Sequence, residues 1–466
     1  MRKKWGNRIG AIVLACALTV NGLPVQSIST STQKAYAAAK SETEKQDVSQ
    51  PETKMGNVVL DGNDIAVNNV NGLTYKGFGM LSGNSTSDLL MDYKAEQPKA
   101  YAELMQYLFG GNYPIMNHVK LEMGNDRNTS TGPESCTKRT EKEKANVLRN
   151  PGWQLAADAK KINPKIKVSI LRWEAPVWAG TDEKIYQWYK ETILDAYEKY
   201  GYMVDYINPN INEKWDVDSD VAFTKKFAKW IAAETKETIP DEKALALYHK
   251  IKLVVSDEAG TASDSVVESM KSDSDFYNSV DVVGYHYSPW DDSNGGMKWL
   301  AQTKDKEVWN SEAQATFSNS AFRPSNNVKD PTTEGTGLGG TGSALEMANT
   351  FIKGFVQSRR SHVIYQPAIG SFYEGAQFSF KELVGARDPW SGWIHYDAGL
   401  LMLAHISKFA VTGWENEDNT AGIWRAVPQA SKCTADGTNP VNGRNGGENY
   451  MTLASPAKDN FSTMIV

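Results

Sequence analysis

Ile166-Lys167-Val168-Ser169-Ile170-Leu171-Arg172 is a short apolar run bounded by polar residues, and it reads as a strand. An amphipathic stretch at 182–200 follows and predicts a long helix, after which the run at 206–210 reads as the next strand. Strand, helix, strand is the unit of a parallel sheet. The same texture continues in both directions. Strand candidates lie at 75–81, 115–123, 166–172, 206–210, 251–256, 280–285, 308–310 and 362–366. Helical patterns at 95–109, 141–161 (interrupted by Pro151), 182–200, 221–237, 262–272, 296–304 and 343–357 separate them. Strands of a parallel sheet are covered on both faces and read as continuous apolar runs, as in Lys252-Leu253-Val254-Val255-Ser256 and Val280-Asp281-Val282-Val283-Gly284-Tyr285. Eight such strands predict an α/β fold, a closed (β/α)8 TIM barrel, over 73–392. A doubly wound sheet is the alternative, but no GxGxxG follows the first strand.

After Trp393 short strand-like pieces prevail, at 409–414, 422–426, 449–454 and 461–466. They predict a β-sandwich over 393–466 beside the barrel, joined by strand residues from 57–72, with Val58-Val59-Leu60 as the candidate. Ending inside a strand-like run, the chain reads as a fragment whose sandwich is incomplete. Residues 38–56 are polar and read as a linker. Residues 1–37 read as a bacterial-style secretion signal: Arg2, Lys3, Lys4 and Arg8 precede an apolar run at 9–20, too short to span a bilayer as an integral anchor, and Ala35-Tyr36-Ala37 suits cleavage. Cys16 raises lipoprotein anchoring, which Leu14 two positions before it fits poorly.

Removing residues 1–37 takes away five basic and no acidic residues, so the formal charge moves from −6 to −11. Nucleic acid and anionic membrane are poor partners for such a chain. Six histidines are scattered without HExxH spacing, and two of the three cysteines, Cys136 and Cys433, lie beyond the signal. Neither a protein-ligated metal, nor a cofactor, nor a disulfide framework is expected, and whether Cys136 and Cys433 pair stays open.

Barrel enzymes carry their catalytic groups at the C-terminal ends of the strands. The fourth predicted strand leads to Asn208-Pro209-Asn210-Ile211-Asn212-Glu213, and the seventh to Val308-Trp309-Asn310-Ser311-Glu312. These strands face each other across the mouth, so Glu213 and Glu312 are the candidate catalytic pair. Retaining glycosidases need one carboxyl as acid/base and one as nucleophile, roughly 5–5.5 Å apart. The acid has to hold its proton near neutral pH, so a raised pKa is expected for Glu213, with a negative partner raising it. Asn212 is placed to bind a sugar 2-hydroxyl. His286-Tyr287 closes the sixth strand, where a tyrosine can hydrogen-bond the nucleophile carboxylate and keep it ionised; core packing is the alternative for His286.

Several motifs together carry a family resemblance. They are Val59-Leu60-Asp61-Gly62, Gly77-Phe78-Gly79-Met80-Leu81-Ser82-Gly83, Leu121-Glu122-Met123-Gly124-Asn125-Asp126, Leu171-Arg172-Trp173-Glu174-Ala175-Pro176-Val177-Trp178, Val280 to Tyr287, Trp309-Asn310-Ser311-Glu312 and Asp388-Pro389-Trp390-Ser391-Gly392. With Asn212-Glu213, they resemble glycoside hydrolase family 59, the galactosylceramidase family, from about Val58 onward. The resemblance implies Glu213 as acid/base, Glu312 as nucleophile, Asn212 as a sugar contact, Trp173 as a wall of the galactose pocket and Ser130 as a hydroxyl on galactose. Core packing for Trp173 and a turn for Ser130 are the alternatives. It also implies a β-galactoside substrate, glycolipid included. The chain departs from the family at Arg172, Glu174 and Gln366, and a family arginine from the sandwich would lie beyond Val466. Another β-glycoside of plant or host glycans is therefore a second expectation, and a non-catalytic sugar-binding barrel a third.

Overall fold

The computed structural model describes residues 57–83, 86–127, 134–259, 262–287, 295–313, 344–366, 368–370, 383–386, 388–410, 424–433 and 448–466. Val59–Val466 forms one unit, and the architecture below concerns it.

A short strand, β1 (Thr74–Tyr75), precedes eight parallel strands that close into the expected barrel. They are β2 (Gly77–Ser82), β3 (His118–Glu122), β4 (Lys167–Arg172), β5 (Tyr206–Ile211), β6 (Lys252–Ala259), β7 (Val282–His286), β8 (Glu307–Ala313) and β9 (His362–Tyr365), and β2 pairs with β9 to seal the cylinder. Helices ring the outside, and local chemistry sets their ends. Helix Asp182–Tyr200 starts where the Thr181 side chain accepts from the Lys184 amide, carries Asp182 and Glu183 in its first turn, and stops at Gly201, which adopts left-handed backbone (φ 78°). Asn150 caps helix Pro151–Ile162, with Pro151 in its first turn. The helix read after Pro98 is Pro98–Phe109, and a separate helix, Thr86–Glu96, precedes it, because Pro98 suits a helix start and breaks a helix interior.

Inside the cylinder Leu81, Leu171, Tyr206, Val254, Val282, Trp309 and Ile364 form an apolar plug. At its floor the buried Lys76 ammonium pairs with Glu307. His118 bridges His362 (2.9 Å) and Ser169 (2.7 Å) across the lumen. The plug makes the barrel a packed scaffold, and the C-terminal strand ends are where such barrels build their catalytic sites.

The C-terminal part differs in detail from the expectation. Residues 398–410 are a helix (Ala398–Ala410), including Phe409 and Ala410, which the sequence pattern assigns to a strand. Leu400, Leu403, Ile406 and Ala410 recur at helical spacing and are buried, and Ser407 donates to the Ile115 carbonyl (3.0 Å). The helix thus contacts the barrel at Ile115. Before it, β10 (Ile369–Gly370), β11 (Val384–Ala386) and β12 (Ile394–Tyr396) make a small mixed sheet. Then β13 (Trp424–Ala426), β14 (Lys432–Cys433), β15 (Asn449–Ala454) and β16 (Phe461–Ile465) join β1 in a five-stranded antiparallel sheet. The N-terminal strand of this sheet is thus Thr74–Tyr75, paired with β13, and not Val58-Val59-Leu60. Val59 and Leu60 are exposed and outside any strand, because β1 already occupies that edge of β13. From 57–72, Ile65 packs against Val427, Ala430 and Ala454, and the Ala66 amide donates to Ala426 (3.0 Å). No disulfide joins Cys136 to Cys433; the buried Cys136 thiol donates to the Lys138 carbonyl (3.0 Å). Among the described residues no helix is long and apolar enough to cross a membrane. Residues 1–56, read as signal and linker, lie outside the described residues.

Candidate active site

Four strand ends aim side chains at one point. The Asn212 amide extends the β5 ladder by donating to Arg172 (2.9 Å). The next residue, Glu213, turns into left-handed backbone (φ 55°) and donates its amide to the Asp257 carbonyl (3.0 Å). Asp257 itself sits in a bulge of β6, with φ 74° at Ser256 and 45° at Asp257. On β7, His286 ends the strand and Tyr287 follows with φ 63°, its amide donating to the Glu312 carbonyl (2.8 Å). Glu312 stands within β8. Buried Arg172 donates to the Pro209 carbonyl (2.9 Å), which fixes the segment leading to Glu213.

Carboxylate oxygens of Glu213 and Glu312 and a ring nitrogen of His286 lie within 4.8 Å of one another. The Tyr287 hydroxyl contacts both carboxylates, at 3.0 Å from Glu213 Oε1 and 3.0 Å from Glu312 Oε2. Asn212 Nδ2 donates to Glu312 Oε1 (3.3 Å), and its buried Oδ1 has no partner among the described residues. His286 Nδ1 is 2.9 Å from Glu213 Oε1 and 3.7 Å from Glu312 Oε2, and its Nε2 is 3.4 Å from Asp257 Oδ1. Lys120, from β3, donates to Asp257 Oδ1 (3.0 Å) and lies 3.9 Å from Glu312 Oε1. Asn208 holds the other Asp257 oxygen (2.9 Å). The Glu312 side chain is 1% exposed and that of Glu213 30%, so one carboxylate is sealed in and the other faces outward.

Charge follows from this layout. Burial alone would strip the proton from His286, but Glu312, Asp257 and Glu213 around it win and raise its pKa to about 9. Burial pushes the Glu213 carboxyl up, yet His286, Tyr287 and Lys120 pull it down further, so it lies below the ordinary carboxyl value. The expected raised pKa for Glu213 is therefore not met in this state. A carboxylate partner alone would raise it, whereas the nearest group is a cationic imidazole. Burial and both carboxylates push the Tyr287 phenol far up, so it keeps its proton and donates. Lys120 and His286 outweigh burial at Asp257 and hold it strongly ionised.

Glu213, His286 and Glu312 also converge closely enough to hold a metal ion. Tyr287 and Asn212 already engage both carboxylates through hydrogen bonds, so the cluster suits proton transfer better than metal binding. A buried carboxylate within 4.8 Å of a solvent-facing one can attack a carbon while the other manages a proton.

Of the residues singled out from sequence, Glu213, Glu312, Asn212, His286 and Tyr287 meet here. Trp173 is half-buried just after β4, against the lumen plug. Ser130 lies outside the described residues. At the rim Glu174 pairs with Arg127 and lies 3.9 Å from Lys214. Lys120 and Asp257 are additions that the sequence motifs do not single out.

Residues 75–408 match the family described as Glycosyl hydrolase family 59. The chain belongs to that family. A galactocerebrosidase of Macaca mulatta is 28% identical over 363 residues, covering 77% of this chain and 46% of that protein. One from Danio rerio is 26% identical over 357 residues, covering 74% and 46%. The family 59 chain thus spans about half the length of the curated relatives it matches. Among solved structures, SrfJ from Salmonella typhimurium superimposes with a TM-score of 0.56 at 13% identity, over 85% of this chain and 89% of that one. The endo-β1,6-glucanase BT3312 gives 0.55 at 13%, over 83% and 82%. At such identity these two likenesses speak to the barrel fold alone.

Proposed function

We propose that this family 59 chain is a retaining β-glycosidase that releases terminal β-galactose, with Glu312 as nucleophile and Glu213 as acid/base. The observation that carries the reading is the pair of carboxylates within 4.8 Å, bridged by one tyrosine hydroxyl. One oxygen of each lies within that distance, and such closeness suits double displacement, in which no water has to sit between the carboxyls. In the first step a Glu312 oxygen bonds the anomeric carbon as the leaving oxygen takes a proton at Glu213. In the second, Glu213 takes a proton from water, which displaces Glu312. The unpartnered Oδ1 of Asn212 supplies an acceptor for a sugar hydroxyl beside the nucleophile, and Trp173 a flat face for the ring. Galactose is supported by relatives named galactocerebrosidase. Export is part of the same proposal and rests on the basic and apolar pattern of residues 1–37.

A second reading keeps the mechanism and changes the sugar. The Arg127–Glu174–Lys214 cluster favours it, because these charged groups stand on the rim where an aglycone or neighbouring sugar would lie. Treatment with a 2-fluoro-galactosyl donor, followed by peptide mapping, tests both. Label on Glu312 supports the first reading. Label on Glu312 from a glucosyl or xylosyl donor alone supports the second. Absence of both label and hydrolysis with every donor leaves a non-catalytic sugar-binding barrel.

A further inference from the structure

Beneath the carboxylate pair lies a charged layer that the two-carboxylate mechanism does not require. Lys120, Asp257 and His286 are all buried, and they come from three different strands, β3, β6 and β7. We infer that Asp257, held in place by Lys120 and Asn208, is a positioning residue that keeps the His286 imidazole protonated, so that His286 stores the proton Glu213 passes to the leaving oxygen. The inference rests on the glycosidase reading for its catalytic meaning and for the kinetic arm of its test, but not for the titration.

The groups facing His286 are Glu213 after β5 (2.9 Å), Asp257 on β6 (3.4 Å) and Glu312 on β8 (3.7 Å). The neutral Tyr287 phenol sits between Glu213 and Glu312, and Lys120 on β3 reaches Asp257 and Glu312. With a neutral imidazole, three carboxylates would share one cation in a largely buried space. A proton on His286 makes it three against two, and uncompensated buried charge is costly. Asp257 is the carboxylate on the Nε2 side. At 3.4 Å it acts on the ring through its charge, while Nδ1 faces Glu213, and that charge persists through the reaction. The direction of the pKa of each group agrees: His286 is raised, Glu213 and Asp257 are lowered.

The proton balance closes over a turnover. In glycosylation the His286 Nδ1–H bond breaks and the proton passes along the 2.9 Å contact to Glu213 Oε1 and on to the glycosidic oxygen. The C–O bond breaks with its electron pair on that oxygen, and Glu312 bonds the anomeric carbon. Esterified Glu312 carries no charge, so the strongest support for the imidazolium is gone when the proton has to leave. In the second half, water gives its proton to Glu213 and thence to His286 Nδ1. The hydroxyl bonds the sugar, and Glu312 departs as carboxylate and restores the field.

The test is a titration of the whole chain labelled with 15N-histidine. The chain has six histidines, and the His286 signal is the one missing from His286→Gln. The expected result is a His286 imidazolium persisting through neutral pH in the wild type. Asp257→Asn and Glu312→Gln should each bring its titration down by about one pH unit or more, the size expected for losing one near charge. The alkaline limb of kcat/KM for Asp257→Asn should move down with it, a displacement that a merely structural defect does not produce. If Asp257→Asn does not fold, Asp257→Ser removes the same charge and gives the same comparison, while Asp257→Glu, which keeps the charge, should leave the titration near that of the wild type. A wild-type His286 that is neutral at pH 7, or one whose titration ignores both substitutions, overturns the inference. Failure to hydrolyse any glycoside would overturn the glycosidase reading instead, and leaves the titration readable.

Discussion

The Glu213 amide donates to the Asp257 carbonyl at 3.0 Å, and both residues hold left-handed backbone, at φ 55° and 45°. Neither is glycine, so each conformation costs about 1–3 kcal/mol and persists only where its surroundings demand it. Ser256 and Tyr287 share the trait, at 74° and 63°. Strain thus gathers where β5, β6 and β7 end around the carboxylates. It carries the Glu213 side chain out of the strand plane and over the barrel, towards Glu312.

The carboxylates should separate by their rescue behaviour. Glu213→Gln is expected to lose about 10²–10⁴-fold in kcat on an unactivated galactoside, the usual range for a positioned acid/base. A nitrophenyl substrate should recover the first step, and azide should restore turnover, since neither needs the proton. Glu312→Gln should be inactive on both. Steady-state kinetics with and without azide decide it, and full activity of either variant on the unactivated substrate would remove that residue from its role.

Tyr287→Phe removes one hydroxyl that serves two carboxylates. Losing a hydrogen bond to a charged group costs about 1.5–3 kcal/mol, so kcat/KM should fall roughly 10–150-fold with the melting temperature little changed. A change within twofold would show that the hydroxyl is a bystander.

Gly284 has no room for a side chain. A Cβ there would sit 2.5 Å from Ser311 Oγ and 2.8 Å from Asp257 Oδ1. Gly284→Ala should destabilise by about 1–3 kcal/mol, as overpacking does, and impair activity by displacing Asp257. Adding Ser311→Ala removes the nearer clash and should recover part of the loss; strict additivity in urea unfolding would refute the steric explanation.

The barrel was legible because its strands alternate with helices and because runs such as Lys252 to Ser256 are apolar throughout. Glu213 and Glu312 were legible because each follows a strand that faces the other's. Lys120 was not, although a signal existed. His118-Val119-Lys120-Leu121-Glu122 alternates polar and apolar, which is odd for a strand covered on both faces, and it marks a polar stripe on this one strand beside the apolar plug. Asp257 was hidden by its bulge, which shifts the register between Ser256 and Glu258 and breaks the two-residue period. The end of the helix at Ala398–Ala410 resembles a strand because Phe409-Ala410-Val411-Thr412 favours strands by composition, while burial of Leu403, Ile406 and Ala410 at helical spacing keeps Phe409 and Ala410 in the helix.

The floor of the barrel offers a stability test remote from the mouth. Lys76 is fully buried against Glu307, whose other oxygen accepts from Trp309 Nε1 (2.8 Å). Lys76→Met takes away the nearest cation and should cost about 3–5 kcal/mol, the range for breaking a buried pair. Replacing both, as Lys76→Met with Glu307→Leu, should recover most of it. A double variant no more stable than the single one, by urea titration, would contradict this account of the pair.

His286 also ties folding to pH. Its pKa lies at about 9 in the folded chain, where burial opposes the charge and Glu312, Asp257 and Glu213 outweigh it. In the unfolded chain it returns to about 6.5. Between those values the folded state binds the extra proton, so stability falls as pH rises. The contribution is fully present below about pH 6.5 and is lost as pH climbs through about 9, on the order of 3 kcal/mol in all. Urea unfolding of the wild type at about pH 6 and about pH 9.5 should show a decline that His286→Gln largely removes, leaving whatever slope the other groups impose. Equal declines in the two proteins would mean that the folded chain does not hold this proton.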